Sequence, residues 1–568
     1  MGGNRISIYN FEIMAEYYVG NFAALVDRVE TLYNDLLKDT DRDFVEAFRD
    51  GDDDAKSLYV RLVTRKGPLF RSDLLNYPEI DSVEASATAL AERGLLRING
   101  EVGSVELLSL LRKPELLDLF RDVPGAKNAP KQELIDRIAE ALAIEEIFER
   151  LHALFSIYEP LQIDIVGRFK LLFFGNTYQN LSEFVITDLG VVTYETYDID
   201  FGHRVFTNRD QVDVVLKIHE LAEGFHESRA DLYDTELIEL AASIPKPTGT
   251  YVIDRRGERL RNQIARQLER LGKEDVAFEY YSETADPPSR ERRARILARK
   301  QKKSEAIQLC REILDEPLSD DEEFFAESFL PRLDRNTYEK RSSDLFEARL
   351  AIPVHPSGKV EIGALEYFQN SGCLGYFTEN ALWTSLFGLA FWDIIFADIP
   401  GVFFNEFQRG PADIATPAFF RSRRTQFESR LREFNEMQSV ESYLIDRYDE
   451  KLDVANWFVS WRHVDRPMLE ASLARIDPNW LVLIFERMIV DPWARSSGFP
   501  DLIIFRGEED WPGSINSNIP DGPSTGSCLV EVKGPGDQIQ HNQRRWFEFF
   551  RDAGVPALVL WVTYDGST

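Results

Sequence analysis

Over the N-terminal third of the chain, apolar residues recur at helical spacing, beginning with Tyr17-Tyr18-Val19-Gly20-Asn21-Phe22 and running through Leu37. Residues 57–71 continue the pattern, and Gly94-Leu95-Leu96 marks the stop of a small helix-turn-helix or winged unit, although core packing explains the same periodicity. Residues 105–142 are punctuated more sharply. Glu106-Leu107-Leu108 opens one short helix, Lys113-Pro114-Glu115-Leu116-Leu117 a second, and Lys127, Lys131, Glu133, Leu134 and Ile135 lead into a third. Residues 143–250 mix helical patterns with the strand-like Phe184-Val185-Ile186-Thr187 and Val191-Val192-Thr193-Tyr194, and the mixture breaks at Ile244-Pro245-Lys246-Pro247-Thr248-Gly249. A helical array follows from Arg255 to about Leu314, in which residues 272–281 and 302–310 look like successive hairpins of the tetratricopeptide kind. Two copies are too few for a free-standing solenoid, so packing against a neighbouring domain is expected. The acidic run 317–323 reads as a linker, and residues 376–396 as one long, mostly apolar helix with Glu379 in its first turn. These breaks divide the chain into a helical, winged-helix-like N-terminal region (1–104), a small module (105–145), a mixed helical linker region (146–250), tetratricopeptide-like repeats (251–345) and a C-terminal α/β domain (346–568).

The C-terminal domain carries the chemistry. Ser497-Gly498-Phe499-Pro500-Asp501 opens the apolar run 502–505, and Leu529-Val530-Glu531-Val532-Lys533 forms a second strand ending at Gly534-Pro535. Side chains alternate along a strand, so Glu531 and Lys533 share one face while Val530 and Val532 take the other. Pro-Asp as a turn and Glu-x-Lys as an exposed edge would be the common explanation of such spacing. Here the charges sit at the ends of two strongly apolar runs, followed by the polar turn 534–537 and a helix that presents Gln540 and Gln543 toward Trp546. Two carboxylates can hold Mg²⁺ or Mn²⁺ through oxygen, and a lysine can orient water or neutralise charge developing on phosphorus. Glu379, alone, reads as an acid complementing a helix N-terminus; beside Asp501 and Glu531 it supplies a third carboxylate.

Four segments in order over about the last 200 residues, 387–396, 419–424, 498–501 and 531–537, together resemble the Fanconi anaemia-associated nuclease family, with its VRR-Nuc domain of the PD-(D/E)xK superfamily, in a bacterial-type member. The resemblance implies a multidomain α plus α/β fold, in which helical N-terminal and repeat domains precede a restriction-endonuclease-like core with a mixed sheet. It implies metal and catalytic positions at Glu379, Asp501, Glu531 and Lys533, with the Val532 carbonyl as a further ligand. It also implies metal-dependent incision near 5′ flaps and branched duplexes, 5′-to-3′ exonuclease action and a role in interstrand crosslink repair. Residues 57–71 are similar to the N-terminal region of bacterial members, and 105–142 resemble a SAP-type module that grips duplex backbone, with a plain helical hairpin the competing reading. The loop 507–527 is longer than the usual hairpin between the catalytic strands.

Charge opposes a DNA partner globally. The 97 acidic and 66 basic residues give a net charge of −31, which slows encounter with a polyanion, so DNA contact must come from local patches. One lies at 290–303, including Arg292 and Arg293, where a solvated helix face is an equal explanation. Another comprises Arg421, Arg423, Arg424, Arg430 and Arg432, and Gln543 is a further candidate contact. In the N-terminal region only Arg61, Arg65, Lys66 and Arg71 hint at DNA.

The chain's 568 residues, 44% of them hydrophobic, suffice for several domains. Three scattered cysteines, Cys310, Cys373 and Cys528, indicate a reducing intracellular setting, cytoplasmic in a bacterium and nuclear in a eukaryote. The longest apolar stretch, 382–404, is interrupted by Asp393 and Asp398, so no membrane span and no secretion signal are expected. Paired zinc histidines, a serine elbow and a phosphate loop are absent. Two alternatives remain: a junction resolvase or restriction-like endonuclease on the same core, and a recruitment scaffold whose repeats bind a protein partner while the nuclease fold serves only to hold DNA.

Overall fold

The computed structural model describes residues 5–123, 129–179, 192–229, 232–337, 345–437, 439–508, 511–512 and 526–564, with side chains from Tyr18 onward. The strand expected at 184–187 and most of the 507–527 loop lie outside these residues. The chain forms two compact units, Met1–Val192 with Asp200–Val212, and Thr193–Ile199 with Asp213–Thr568. The boundaries expected at 104, 145, 250 and 345 all fall inside one unit or the other.

In the first unit, the helices Arg5–Tyr33, Asp39–Arg49, Asp53–Val63 and Val83–Glu92 are followed or interleaved by three short antiparallel strands, β1 (Phe70–Arg71), β2 (Leu96–Ile98) and β3 (Ile157–Pro160), ordered β1-β3-β2. Phe22, Phe44, Phe48, Tyr59 and Phe169 interlock edge to face and tilted in its core. Between β2 and β3 the helices Ser104–Ser109, Lys113–Leu119, Lys131–Ala141 and Ile144–His152 close over their own apolar core, which includes Leu107, Leu116, Phe120, Leu134 and Ile147. The three helix starts read from residues 105–142 are thus realised, and a fourth helix completes the core.

In the second unit most of the helix Arg209–Ser228 and the helix Asp234–Ala242 lead into the successive, mutually packed helices Tyr251–Arg270, Glu274–Ser282, Ser289–Arg299 and Lys303–Asp315. The acidic run read as a linker is instead the first turn of a helix, Asp320–Leu333. Ser319 caps it by accepting the Glu322 N–H, and four acids in the first turn complement the positive end of the dipole. That turn also ties this run of helices to the segments that precede the strand Leu502–Phe505 and follow the strand Ser527–Lys533. Arg495 donates to Asp320 at 2.7 Å and to Glu323 at 2.6 Å, and Arg545 pairs with the same two acids.

Among the described residues, five strands form the C-terminal sheet: β4 (Glu347–Ile352), β5 (Leu374–Phe377), β6 (Leu502–Phe505), β7 (Ser527–Lys533) and β8 (Ala557–Tyr564). Their order is β4-β8-β7-β6-β5; β4, β8 and β7 are parallel, while β6 and β5 run antiparallel to their neighbours. Both faces are covered, which explains why the strands read as continuous apolar runs. Leu502, Ile504, Val530 and Val532 pack with Phe368 of the helix Val360–Asn370. Ile503, Phe505 and Leu529 pack on the other side with the helices Ala381–Ala390, Pro417–Glu436, Pro478–Val490 and His541–Ala553.

Two expectations are overturned here. Residues 376–396 are not one helix: 376 and 377 belong to β5, a turn follows, and the helix starts only at Ala381. Pairing with β6 decides this, Tyr376 lying opposite Ile503 and Phe377 opposite Leu502. Arg423, expected on a DNA-contacting patch, is fully buried. Its Nη1 donates to Asp413 at 2.8 Å and its Nε to the Ile394 carbonyl at 3.1 Å, so it fastens Pro417–Glu436 to the short helix Trp392–Ile395 that follows Ala381–Ala390. Removing one partner of a buried pair strands the other, so Arg423→Ala should cost about 3–5 kcal/mol of stability, read by denaturant unfolding, whereas a loss under about 1 kcal/mol would refute the structural role. Among the described residues no helix is long and apolar enough to cross a membrane.

Candidate active site

Asp501, Glu531 and Lys533 meet because β6 starts one residue after Asp501. The register pairs Leu502 with Val530, which sets Asp501 at the level of Glu531 just beyond the end of the shorter strand. With no β6 residue left to pair it, the Val532 N–H donates to Asp501 Oδ2 at 2.9 Å. In an extended strand the N–H and C=O of one residue point to the same edge, so the Val532 carbonyl faces the same open side. The alternation read from the sequence holds: Val530 and Val532 lie in one core layer, and Glu531 and Lys533 face the other way.

Gln543 clamps the acid and the base. Its Nε2 donates to Glu531 Oε1 at 2.6 Å, and its Oε1 accepts from Lys533 Nζ at 3.0 Å and from the Gln540 N–H at 2.8 Å. Lys533 Nζ also lies 2.8 Å from Glu531 Oε1. Because Gln543 is the third residue of the helix His541–Ala553, its capping box and the site share one side chain. Expected as a DNA contact, Gln543 instead spends its amide on Glu531 and Lys533. The 497–501 loop is pinned to the same helix through Trp546 Nε1, which donates to the Ser497 carbonyl at 3.1 Å. Gly498 is required there, with φ +90° and the Asn542 carbonyl carbon 2.8 Å from where a Cβ would stand.

Glu379 is placed differently from its expected position. It lies in the turn before the helix, exposed, at φ +43°, a left-handed backbone uncommon for glutamate. The N–H groups of Thr378 and Glu379 donate to the Asp501 carbonyl at 2.8 and 2.9 Å, so the turn is built on Asp501 itself. Phe499 N–H donates to Asn380 Oδ1 at 3.1 Å and closes the loop from the other side. Asn380 was not singled out in the sequence; only its adjacency to Glu379 could have flagged it.

Electrostatically the site is loaded with negative charge. Burial pushes the Asp501 carboxyl up from its ordinary range, and Glu361 and Glu379 add to this against the Val532 N–H and Lys533. Burial likewise raises Glu531, Asp501 raises it further, and Lys533 opposes. Glu531 Oε2 is buried with no hydrogen-bond partner among the described residues, a vacancy that normally costs about 1–3 kcal/mol. That orphaned oxygen beside Asp501 and the Val532 carbonyl fits a hard, oxygen-seeking divalent cation. The three acids do not form a closed cage: among the described residues no three His, Cys, Asp or Glu side chains converge at metal-holding distance. Glu379 reaches Asp501 through its field and backbone, its carboxylate staying in solvent.

Most of the predicted DNA contacts are engaged within the protein. Arg292 pairs with Glu269, and Arg293 lies half-buried 5.6 Å from the Phe278 ring centroid. Arg421 pairs with Glu316 at 2.8 Å, Arg424 with Glu428 at 2.7 Å and Arg430 with Asp393 at 2.8 Å; Arg432 is exposed. Of the N-terminal group, Arg61 pairs with Glu79, Arg71 with Asp73 and Glu115, and Arg65 and Lys66 are exposed.

A strand pair ending in Asp501, Glu-x-Lys on the next strand and a glutamine clamp from the following helix form a nuclease-type constellation, and comparison with known proteins bears on its family. The family models for the VRR-NUC domain, the FAN1 HTH domain and the Fanconi anemia-associated nuclease SAP domain match residues 435–563, 16–97 and 106–149. The Fanconi-associated nuclease 1 homolog of Pseudomonas aeruginosa is 33% identical over 558 residues, covering 96% of each chain. The chain belongs to the Fanconi-associated nuclease family. The Arabidopsis thaliana homolog of this family is 24% identical over 94% of this chain and 66% of its own. A crystal structure of paFAN1 bound to 5′ flap DNA with a 2-nucleotide flap and a gap superposes with a TM-score of 0.81 at 32% identity, covering 97% of this chain and 99% of that one. A second paFAN1 complex, with a 1-nucleotide flap, gives 0.78 at 33% identity. The chain is thus a nuclease, and the family's mixed α and α/β architecture is the one seen.

The raised carboxyls carry a pH signature. Where a folded-state pKa exceeds the unfolded value, the folded chain holds more protons through the interval between them, so stability is full below it and falls as pH rises through it. Asp501→Asn keeps an acceptor for the Val532 N–H and removes one charge. In metal-free buffer it should melt higher than wild type at pH 8, on the order of 2–4 °C, with the gap closing toward pH 5. A lower melting temperature at pH 8, followed by scanning calorimetry with chelator, would contradict the reading.

Proposed function

We propose that this nuclease is metal-dependent and cuts DNA near 5′ flaps and related branch points. The observation that carries the reading is the partnerless buried oxygen of Glu531 beside Asp501, in a site whose lysine is already fixed by Gln543. Asp501, Glu531 and the Val532 carbonyl would hold one or two ions of Mg²⁺ or Mn²⁺, with Glu379 joining from the adjoining turn. A divalent cation bound there supplies Lewis acidity and neutralises phosphate charge. Lys533, held at 2.8 Å from Glu531, would donate to a non-bridging phosphate oxygen or orient the attacking water. The preference for flaps rests on the complexes of the similar paFAN1, which contain 5′ flap DNA. Stepwise 5′-to-3′ cleavage, a role in interstrand crosslink repair and an intracellular setting complete the reading on family grounds, and the repeat helices leave a surface for a protein partner.

Asp501→Ala or Glu531→Ala should abolish cleavage of a labelled 5′ flap in both Mg²⁺ and Mn²⁺ while flap affinity stays within a few-fold of wild type. Turnover retained in both variants would remove these carboxylates from the metal site. Lys533→Ala should slow single-turnover cleavage by about 10²-fold or more with Mn²⁺ affinity largely intact, and Lys533→Arg should recover little, because a guanidinium is wider and presents its donors elsewhere. Joint loss of metal and turnover in Lys533→Ala would assign the lysine to holding the strand in place.

A further inference from the structure

Next to the acids lies a cleft of about 380 Å³, lined by Phe377, Glu379, Asn380, Trp457, His463 and Ser496 among others. Its volume falls in the range of small-molecule sites, about 300–1,000 Å³. What sets it apart is exposed aromatic surface. Of the lining residues Trp457 is 51% exposed and Phe377 40%, and Trp493, outside the lining and 45% exposed, meets Trp457 edge to face with centroids 5.7 Å apart. Exposed apolar surface that is contiguous and rimmed by polar groups is the kind that marks ligand-binding grooves.

The protein builds this shelf at some cost in freedom. A Cβ on Gly410 would lie 2.8 Å from Trp457 Cδ1, so glycine makes the space in which the indole lies. The Trp457 N–H donates to the Arg409 carbonyl at 3.1 Å, and the buried Asn456 accepts the Phe458 N–H at 2.9 Å, which fixes the backbone on both sides of the ring. His463, engaged at Nδ1 by Ser460 Oγ at 2.9 Å, lines the same cleft. Charge points to the occupant. The exposed Arg409 guanidinium stands 5.8 Å from the Trp457 ring centroid and makes no ion pair among the described residues, whereas Arg421, Arg424 and Arg430 all do. A tryptophan with an arginine over its ring that makes no ion pair among the described residues suits a base and its phosphate.

We propose that this cleft receives an unstacked nucleobase from the strand being cut, next to the scissile phosphate, with the base lying on Trp457 and Arg409 contacting the adjoining phosphate. The cleft shares Glu379 with the metal-binding turn, so a nucleotide seated in it would hold the backbone against Asp501 and Glu531. The inference rests on the phosphodiester-cleaving reading above. It adds a positioning device: energy spent unstacking one base is recovered on the indole, and a strand whose bases are already unpaired pays less to enter.

The test pairs Trp457→Ala and Trp457→Phe with flap DNA that is either intact or abasic at each nucleotide flanking the cut in turn. Affinity is measured in metal-free buffer and cleavage in single turnover with Mn²⁺. Trp457→Ala should lose about tenfold in affinity or rate on intact DNA and nothing further on the DNA abasic at the stacked position, while Trp457→Phe keeps most of the wild-type value. Equal losses on intact and abasic DNA, or no loss on either, would overturn the proposal; the second result would leave the shelf to a protein partner. Failure of the cleavage reading looks different. Wild type would then not cut in Mn²⁺ at all, and the metal-free affinities would still report whether a base stacks on Trp457.

Discussion

Two carboxylates that repel each other, Glu531 buried and Asp501 half-buried, meet at the mouth of the sheet because the register of β6 against β7 sets them side by side. Every other feature of the site answers that repulsion. The Val532 N–H takes one oxygen of Asp501, Lys533 and Gln543 take one oxygen of Glu531, and the remaining Glu531 oxygen has no partner among the described residues. Burial strengthens each of these interactions and also makes the unsatisfied charge costly. The fold carries this strain because the strands beneath are covered on both faces, which leaves the acids no route to solvent by sliding.

Where charge alternates with apolar residues, the chemistry was legible in the sequence. The period of two along β7 placed Glu531 and Lys533 together, and Pro500-Asp501 marked the mouth of β6. The error over residues 376–396 has a clear physical source. Apolar residues suit a buried strand and a buried helix equally, and what divides them at Phe377 is pairing with β6, more than a hundred residues away in the chain. Glu379 was therefore assigned to the first turn of a helix that begins two residues later. The acidic run at 317–323 was misread for the opposite reason: its composition resembles a linker, yet Ser319 is a cap, and the arginines that receive Asp320 and Glu323 come from distant segments.

Clustered charge in the sequence does not show which arginines are engaged inside so acidic a protein. Arg423 sits in a basic run yet is the most deeply buried arginine of that helix, spent on Asp413 and a main-chain carbonyl. Arg292, in the other basic run, is spent on Glu269. Arg409 lies in no cluster and makes no ion pair among the described residues, its guanidinium standing over an exposed tryptophan. With a net charge of −31, attraction to a polyanion must come from such local exceptions, and salt dependence should be shallower than the arginine count suggests.

The central claim is that Asp501 and Glu531 are held up in pKa by mutual burial and release protons when a divalent cation arrives. Titrating Mn²⁺ into the protein without DNA near pH 6, by calorimetry in buffers of differing ionisation enthalpy, measures those protons directly. The account predicts net proton release on binding in wild type, diminishing as pH rises to 8. Binding with no proton exchange at pH 6 would show that the carboxylates are already ionised, and would contradict it.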